Sequence, residues 1–182
     1  MDESQQQALL RLARETIRAH LAKGPTPALP EVEIAPEDFG GAFVTLRNAG
    51  RLRGCIGQFD PCTSLPETVQ EMAIAAAGDP RFRDQPVTGD ELPELTIEIS
   101  VLSPMKRTND PLSLEPGVHG IHIRKGLHSG CFLPQVATEQ GWDKEEFLSR
   151  CCSGKAGLPP DAWKEPGTEV YLFTAEVFSE KG

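Results

Sequence analysis

Displaced by 76 residues, the chain lies over itself. The shift places Gly41 on Gly117, Gly50 on Gly126, Gly54 on Gly130 and Cys55 on Cys131. These are backbone-sensitive positions, where glycine allows turns and close approaches that other residues resist. The elements around them recur in order, as hairpin, helix and strand, twice over. The strand starting at Leu95 lands on one starting at Tyr171. The pattern is that of an internal duplication, with a period too long and copies too few for a stacked solenoid. It predicts an α+β fold in which two fused halves share one sheet.

The periodicity fills in the elements. Residues 4–22 read as an amphipathic helix with Leu9, Leu10, Ala13, Ile17 and Leu21 on one face, ended by Gly24-Pro25. Residues 24–38 read as an extended connector, with Pro25, Pro27, Pro30 and Pro36 among Glu31, Glu33, Glu37 and Asp38. Strands over 41–47 and 52–58 make a hairpin about Asn48-Ala49-Gly50. Residues 64–77 form a helix with Ser64 as N-cap, stopped by Gly78. In the strand 94–102, Leu95, Ile97, Ile99 and Val101 point one way and Thr96, Glu98 and Ser100 the other. The first repeat thus spans 41–102 and the second 117–178, in one domain of 1–182. In the second, strands 118–124 and 129–133 flank Arg124-Lys125-Gly126. A helical piece from Pro134 and a helix over 143–152, opened by Asp143, follow. Residues 169–178, apolar on both faces, read as one central strand.

Within this frame the stretch Leu52-Arg53-Gly54-Cys55-Ile56-Gly57 stands out. It sets a thiol between two glycines, after Arg47, Arg51 and Arg53. Positive charge near a cysteine favours its thiolate, and glycine in a strand lets a ligand or backbone come close. Arg53, two residues from Cys55, is expected on the same strand face. Three readings of Cys55 stay open: a small buried hydrophobe, a nucleophile or redox thiol, and a metal ligand. Glu98 and Ser100 either face water or form a polar wall beside Cys55.

Other chemistries lack a signature. The histidines are His20, His119, His122 and His128, and no His-x-x-x-His or paired-cysteine spacing occurs, so no metal site is assigned. Gly-x-Ser-x-Gly, P-loop and dinucleotide fingerprints are missing too. The net charge of −9 argues against broad binding to nucleic acid or anionic membranes. No window approaches eighteen apolar residues, and the opening Met1-Asp2-Glu3-Ser4-Gln5 lacks signal-peptide character, so a cytoplasmic protein is expected. The five cysteines, at 55, 62, 131, 151 and 152, are expected reduced.

The hexapeptide, together with Asp79-Pro80-Arg81-Phe82, Ile99-Ser100-Val101-Leu102-Ser103-Pro104, Leu133-Pro134-Gln135-Val136-Ala137 and Lys155-Ala156-Gly157-Leu158, resembles the AMMECR1 domain family. Bacterial and archaeal members are often labelled AmmeMemoRadiSam system protein A. The resemblance runs from about Phe43 to Phe178 and implies two β3α2 repeats forming one barrel-like sheet. It also implies a shared pathway with MEMO-like and radical-SAM proteins, by a chemistry it does not define. The cofactor stays unknown. Two functions follow as expectations. One is an enzyme or enzyme component with a small anionic-ligand pocket, using Cys55 and Glu98 as catalytic groups and Arg53, Gly54, Gly57, Arg81, Ser100 and Gln135 as ligand-binding residues. The other is a non-catalytic adaptor that uses the same surface for a protein partner.

Overall fold

The computed structural model describes residues 1–180 except Glu33 and Ala35, so the part of the proline-rich connector that includes Glu33 lies outside the described residues. In chain order the helices and strands are α1 (Glu3–Leu21), β1 (Gly41–Asn48), β2 (Arg51–Phe59), α2 (Leu65–Ala77), β3 (Leu95–Leu102), β4 (Lys106–Thr108), β5 (Gly120–Lys125), β6 (His128–Phe132), α3 (Pro134–Gln140), α4 (Lys144–Gly154), β7 (Glu169–Phe173) and β8 (Ala175–Ser179). They divide into two compact units, Met1–Leu102 with Glu176–Gly182, and Ser103–Ala175.

The first unit has an antiparallel core built on β1. Its sheet order is β2-β1-β3-β8. Ala42, Val44 and Leu46 of β1 and Ile97 and Ile99 of β3 are fully buried, and they pack with Leu9, Leu10, Ala13 and Ile17 of α1 and Val69, Ala73 and Ala76 of α2. Period-2 alternation in the strands meets period-3.6 alternation in the helices, so each element presents its apolar side to the same core. Both helices start on a capping box: Asp2 with Gln5 for α1, Ser64 with Glu67 for α2. Each satisfies backbone N–H groups that the first turn cannot. Arg14 binds the chain's late residues to this core, donating to both carboxylate oxygens of Glu180 and to the carbonyls of Leu92 and Leu95.

The second unit has the order β4-β7-β5-β6. Ile121, Ile123 and Val170 pack beneath Phe147, Leu148, Cys151 and Cys152 of α4, with Trp163 closing the side. Asp143 caps α4 by accepting from Glu146 N–H at 2.8 Å.

Two expectations are corrected here. The strands do not share one barrel-like sheet; they form two open four-stranded sheets, and no barrel closes. Each sheet has its own helices and its own apolar cluster, and the first takes in β8, with its buried Phe178, from the far end of the second repeat. The single strand read over 169–178 is two strands in different sheets. Thr174 leaves the ladder because Ser103 takes its backbone: the Thr174 N–H donates to Ser103 Oγ, and the Ser103 N–H donates to Thr174 O, both at 2.9 Å. Strand β4, three residues long, is too short to leave a periodic signal.

The constant offset of 76 also needs revision. On β2 and β6 it holds: Cys55 pairs with Thr45, and Cys131 pairs with His122. Thr45 therefore answers to His122, one residue further along than the offset gives. The difference is a bulge in the first hairpin, absent from the second. Glu98 pairs with Thr45 and Tyr171 with His122, so the third strands also depart from the offset. Strand pairing fixes rows of side chains, whereas loop lengths between them are free to drift.

Candidate functional site

Strand β2 is an edge strand, and its glycines answer to the protein's own atoms. A Cβ on Gly54 would lie 2.0 Å from the Ala76 carbonyl oxygen at the end of α2. One on Gly57 would lie 2.1 Å from the Phe43 ring. The close approaches these glycines permit are thus occupied by a helix end and an aromatic ring. The hairpin turns on Ala49 and Gly50, both at positive φ (45° and 79°), as a tight two-residue β-turn demands.

Arg53 does not stand where strict alternation would put it. Leu46 pairs with Gly54 and Arg47 with Leu52, which leaves Arg53 as the extra residue of a β-bulge. A bulge bends the strand and re-aims a side chain. Its guanidinium meets Glu91 side-on, Nε to Oε1 at 2.6 Å and Nη2 to Oε2 at 2.9 Å, and also donates to Gln85 O at 3.0 Å. Asn48 Nδ2 donates to Glu91 Oε1 as well, at 3.1 Å. The hydrogen bond to Arg53 is the main cause that lowers the Glu91 pKa.

The guanidinium beside Cys55 belongs instead to Arg81. Asp79, 3% exposed, accepts from the Cys55 N–H at 3.0 Å. It also accepts from the Arg81 N–H and Nε, both at 3.0 Å, and from Arg81 Nη2. Arg81 Nη2 in turn donates to Cys55 O at 3.0 Å. The hydrogen bond from Arg81 leads the causes that pull the Asp79 carboxyl down to about 2, with the two backbone N–H donors assisting against its burial. The same bond chiefly raises Arg81, with smaller Coulombic contributions from Asp79 and Cys55.

Across the sheet, one row carries Cys55, Thr45 and Glu98 in register on β2, β1 and β3. Thr45 Oγ1, in a residue 6% exposed, donates to Cys55 Sγ at 3.3 Å. The next row carries Gly57, Phe43 and Ser100. Ser100 is 2% exposed, so it does not face water. Two interstrand spacings, roughly 10 Å, separate Cys55 from Glu98, too far for direct proton transfer. Thr45 lies between them.

At the turn end of β2 a cavity of about 650 Å³ is lined by Asn48, Arg51, Leu52, Arg53, Phe82, Gln85 and Glu91, among others. Cys55 is not part of its wall. Phe82, in the cavity wall, lies between two cations: the guanidiniums of Arg53 and Arg81 are each 5.8 Å from its ring centroid. Arg51 is exposed and makes no ion pair among the described residues.

Gln135 belongs to the other unit, as the second residue of α3. There Cys131 stands in register with His122, and burial pushes its thiol up to about 11. Among the described residues no group of three or more His, Cys, Asp or Glu is placed to hold a metal ion, and no helix is long and apolar enough to cross a membrane. Reasoning from sequence missed Asp79 as the partner of the Cys55 backbone, Thr45 as donor to its sulfur, and Glu91 as the counter-charge of Arg53. Only Asp79-Pro80-Arg81 carried a signal, an acid and a base two residues apart.

The family model described as AMMECR1 matches residues 10–178. An archaeal protein from Methanothermobacter thermautotrophicus is 44% identical over 184 residues, covering 96% of this chain and 93% of its own. One from Thermococcus gammatolerans is 45% identical over 186 residues, covering 95% and 89%. The crystal structure of the uncharacterized protein PH0010 from Pyrococcus horikoshii superposes with a TM-score of 0.86 at 40% identity, covering 100% of this chain and 94% of that one.

Proposed function

Because the chain belongs to the AMMECR1 family, whose glycine-flanked cysteine strand here borders a cationic cavity, we propose that it is an enzyme or enzyme component binding a small anionic ligand along β2. The carrying observation is the cavity itself. Arg51 and Arg53 face a single carboxylate, Glu91, so its wall holds an excess of positive charge in a chain of net charge −9. Such a recess attracts a phosphate or carboxylate that the rest of the surface repels. A ligand seated on Arg51 must extend past Arg53 to meet Cys55, because four residues of strand span about 13 Å. Arg81 then faces the anion's reacting end, Cys55 is the reactive thiol, and Glu98 acts only through Thr45 or on the ligand.

On this reading the two halves derive from a duplication in which one hairpin acquired the bulge at Arg53 and with it the site. The family resemblance supports a working context beside MEMO-like and radical-SAM proteins. Titration calorimetry with pyrophosphate and with malonate tests the reading. Wild-type protein is expected to bind one of them, Arg51→Ala to lose most of that affinity, and added salt to weaken it. Equal affinity in wild type and Arg51→Ala, or no binding of either anion, rejects the cavity as an anion site.

An adaptor role is the second reading, favoured by one observation. Leu127, at the tip of the β5–β6 hairpin, is fully exposed beside Arg124 and Lys125, and a protein partner docking there would cover it.

A further inference from the structure

The backbone of Cys55 presents its N–H and C=O outward from an edge strand, where a neighbouring strand would bind. Two side chains stand there instead. Asp79 Oδ2 accepts the N–H at 3.0 Å, as a carbonyl of the next strand would. Arg81 Nη2 donates to the C=O at 3.0 Å, as an amide would. The carboxylate and guanidinium are joined to each other through Nε and Nη2, so the pair forms a closed ring with the Cys55 peptide groups. An ion pair adopts this geometry only when both ends are held, and Asp79 is held by burial and by the Arg81 N–H. Arg81 keeps one face for solvent: its side chain is 56% exposed, and Nη1 donates to nothing among the described residues. Thr45 fixes the sulfur from the other side through its hydroxyl.

We propose that Asp79 is the positioning residue of the Cys55 site: it holds the backbone beneath the thiol and aims Arg81, whose outward Nη1 edge receives the anionic group of a small carboxylate or phosphate ester. This rests on the reading of Cys55 as a reactive thiol. The pair stands in for a strand, so the sheet edge is closed to another chain at Cys55. It also separates two tasks along β2. Arg53 is spent on Glu91 and shapes the cavity, whereas Arg81 serves the sulfur.

The test compares two alkylating probes of similar size on the full chain, iodoacetate and iodoacetamide, with the modified peptides read by mass spectrometry. Both place carbon on sulfur and release iodide, and the thiol proton goes to buffer; only one carries charge. Exposed Cys62 in the same molecule serves as reference. The iodoacetate-to-iodoacetamide rate ratio at Cys55, relative to Cys62, is expected to fall on the order of fivefold in Arg81→Gln. It should fall in Asp79→Asn too, although that change deletes a negative charge that repels the anionic probe, because Arg81 is no longer aimed, and it should recover in part in Arg81→Lys. Raising ionic strength should lower the ratio in wild type and leave Arg81→Gln unmoved. If Asp79→Asn does not fold, the Arg81 variants and the salt series still decide. A purely structural pair would lower the melting temperature and leave the ratio unchanged, which overturns this inference alone. A Cys55 that neither probe modifies overturns it together with the reactive-thiol reading.

Discussion

Arg53 and Glu91 meet as parallel hydrogen-bonding edges, 2.6 and 2.9 Å apart, only because β2 carries one residue more than β1 at that point. Without the bulge, Arg53 would sit opposite a residue of β1 and its guanidinium would have to leave Glu91. The pair is partly buried, with 15% and 17% of each side chain exposed, so its loss leaves one charge poorly compensated.

Glu91→Gln removes the counter-charge and keeps the shape. Anion affinity at the cavity should rise several-fold as Arg53 is released, and stability should fall by about 1–2 kcal/mol. Calorimetry with pyrophosphate and urea unfolding of the same sample measure both. Unchanged affinity would show that the Arg53 charge does not act on the cavity.

Gly54→Ala should be far more damaging than Gly50→Ala. The new Cβ meets the Ala76 carbonyl oxygen at 2.0 Å, a backbone atom that cannot swing away, so β2 or α2 must shift, at a cost of at least about 2 kcal/mol. At Gly50 nothing lies within 4 Å and only the positive φ is strained, costing about 1 kcal/mol. Chemical denaturation of the two variants checks the order, which reverses if the hairpin turn outweighs the strand-to-helix packing.

The carboxyl of Asp79 is lowered to about 2 in the folded chain, from an ordinary value near 3.8. On acidification the unfolded chain takes up this proton first. The contribution is therefore complete above about pH 4 and is lost as the pH falls toward 2. It amounts to no more than about 2 kcal/mol, since Arg81 is more than half exposed and its charge is screened. Urea midpoints between pH 5 and 2 should show this loss in wild type and lack it in Asp79→Asn.

The cysteines should separate by reactivity. Cys131 is raised to about 11, chiefly by burial, and Cys151 is raised further for the same reason. At pH 7.5 iodoacetamide should modify Cys62 and Cys55 and leave Cys131, Cys151 and Cys152 intact. Peptide mapping reads the outcome; early labelling of Cys131 would mean that its strand opens readily.

Much of the fold was legible in the residues. The amphipathic stripe of α1, the Ser64 cap of α2, the Asp143 cap of α4 and the alternation of β3 each answer to a local rule, and local rules survive folding. Sheet membership was not legible. Whether the strands join depends on how each half covers its apolar face, and the apolar run over 169–178 carries no mark of the break at Thr174. The site divided the same way. Glycines and arginines drew attention to β2, but which arginine reaches the Cys55 backbone depended on a bulge and on Asp79 arriving from the end of α2. Alternation put Arg53 beside Cys55; tertiary structure sent it to Glu91.

The chain's return to its first unit has a consequence for how that unit is closed. Residues 176–180 complete a sheet begun at Gly41, and Glu180 is a partner of Arg14. The segment 103–175 is continuous, whereas the first unit is built from two separate stretches of chain. Without β8 the edge of β3 is uncovered, so the sheet that carries Cys55 is completed only by residues that follow the whole second unit in the chain.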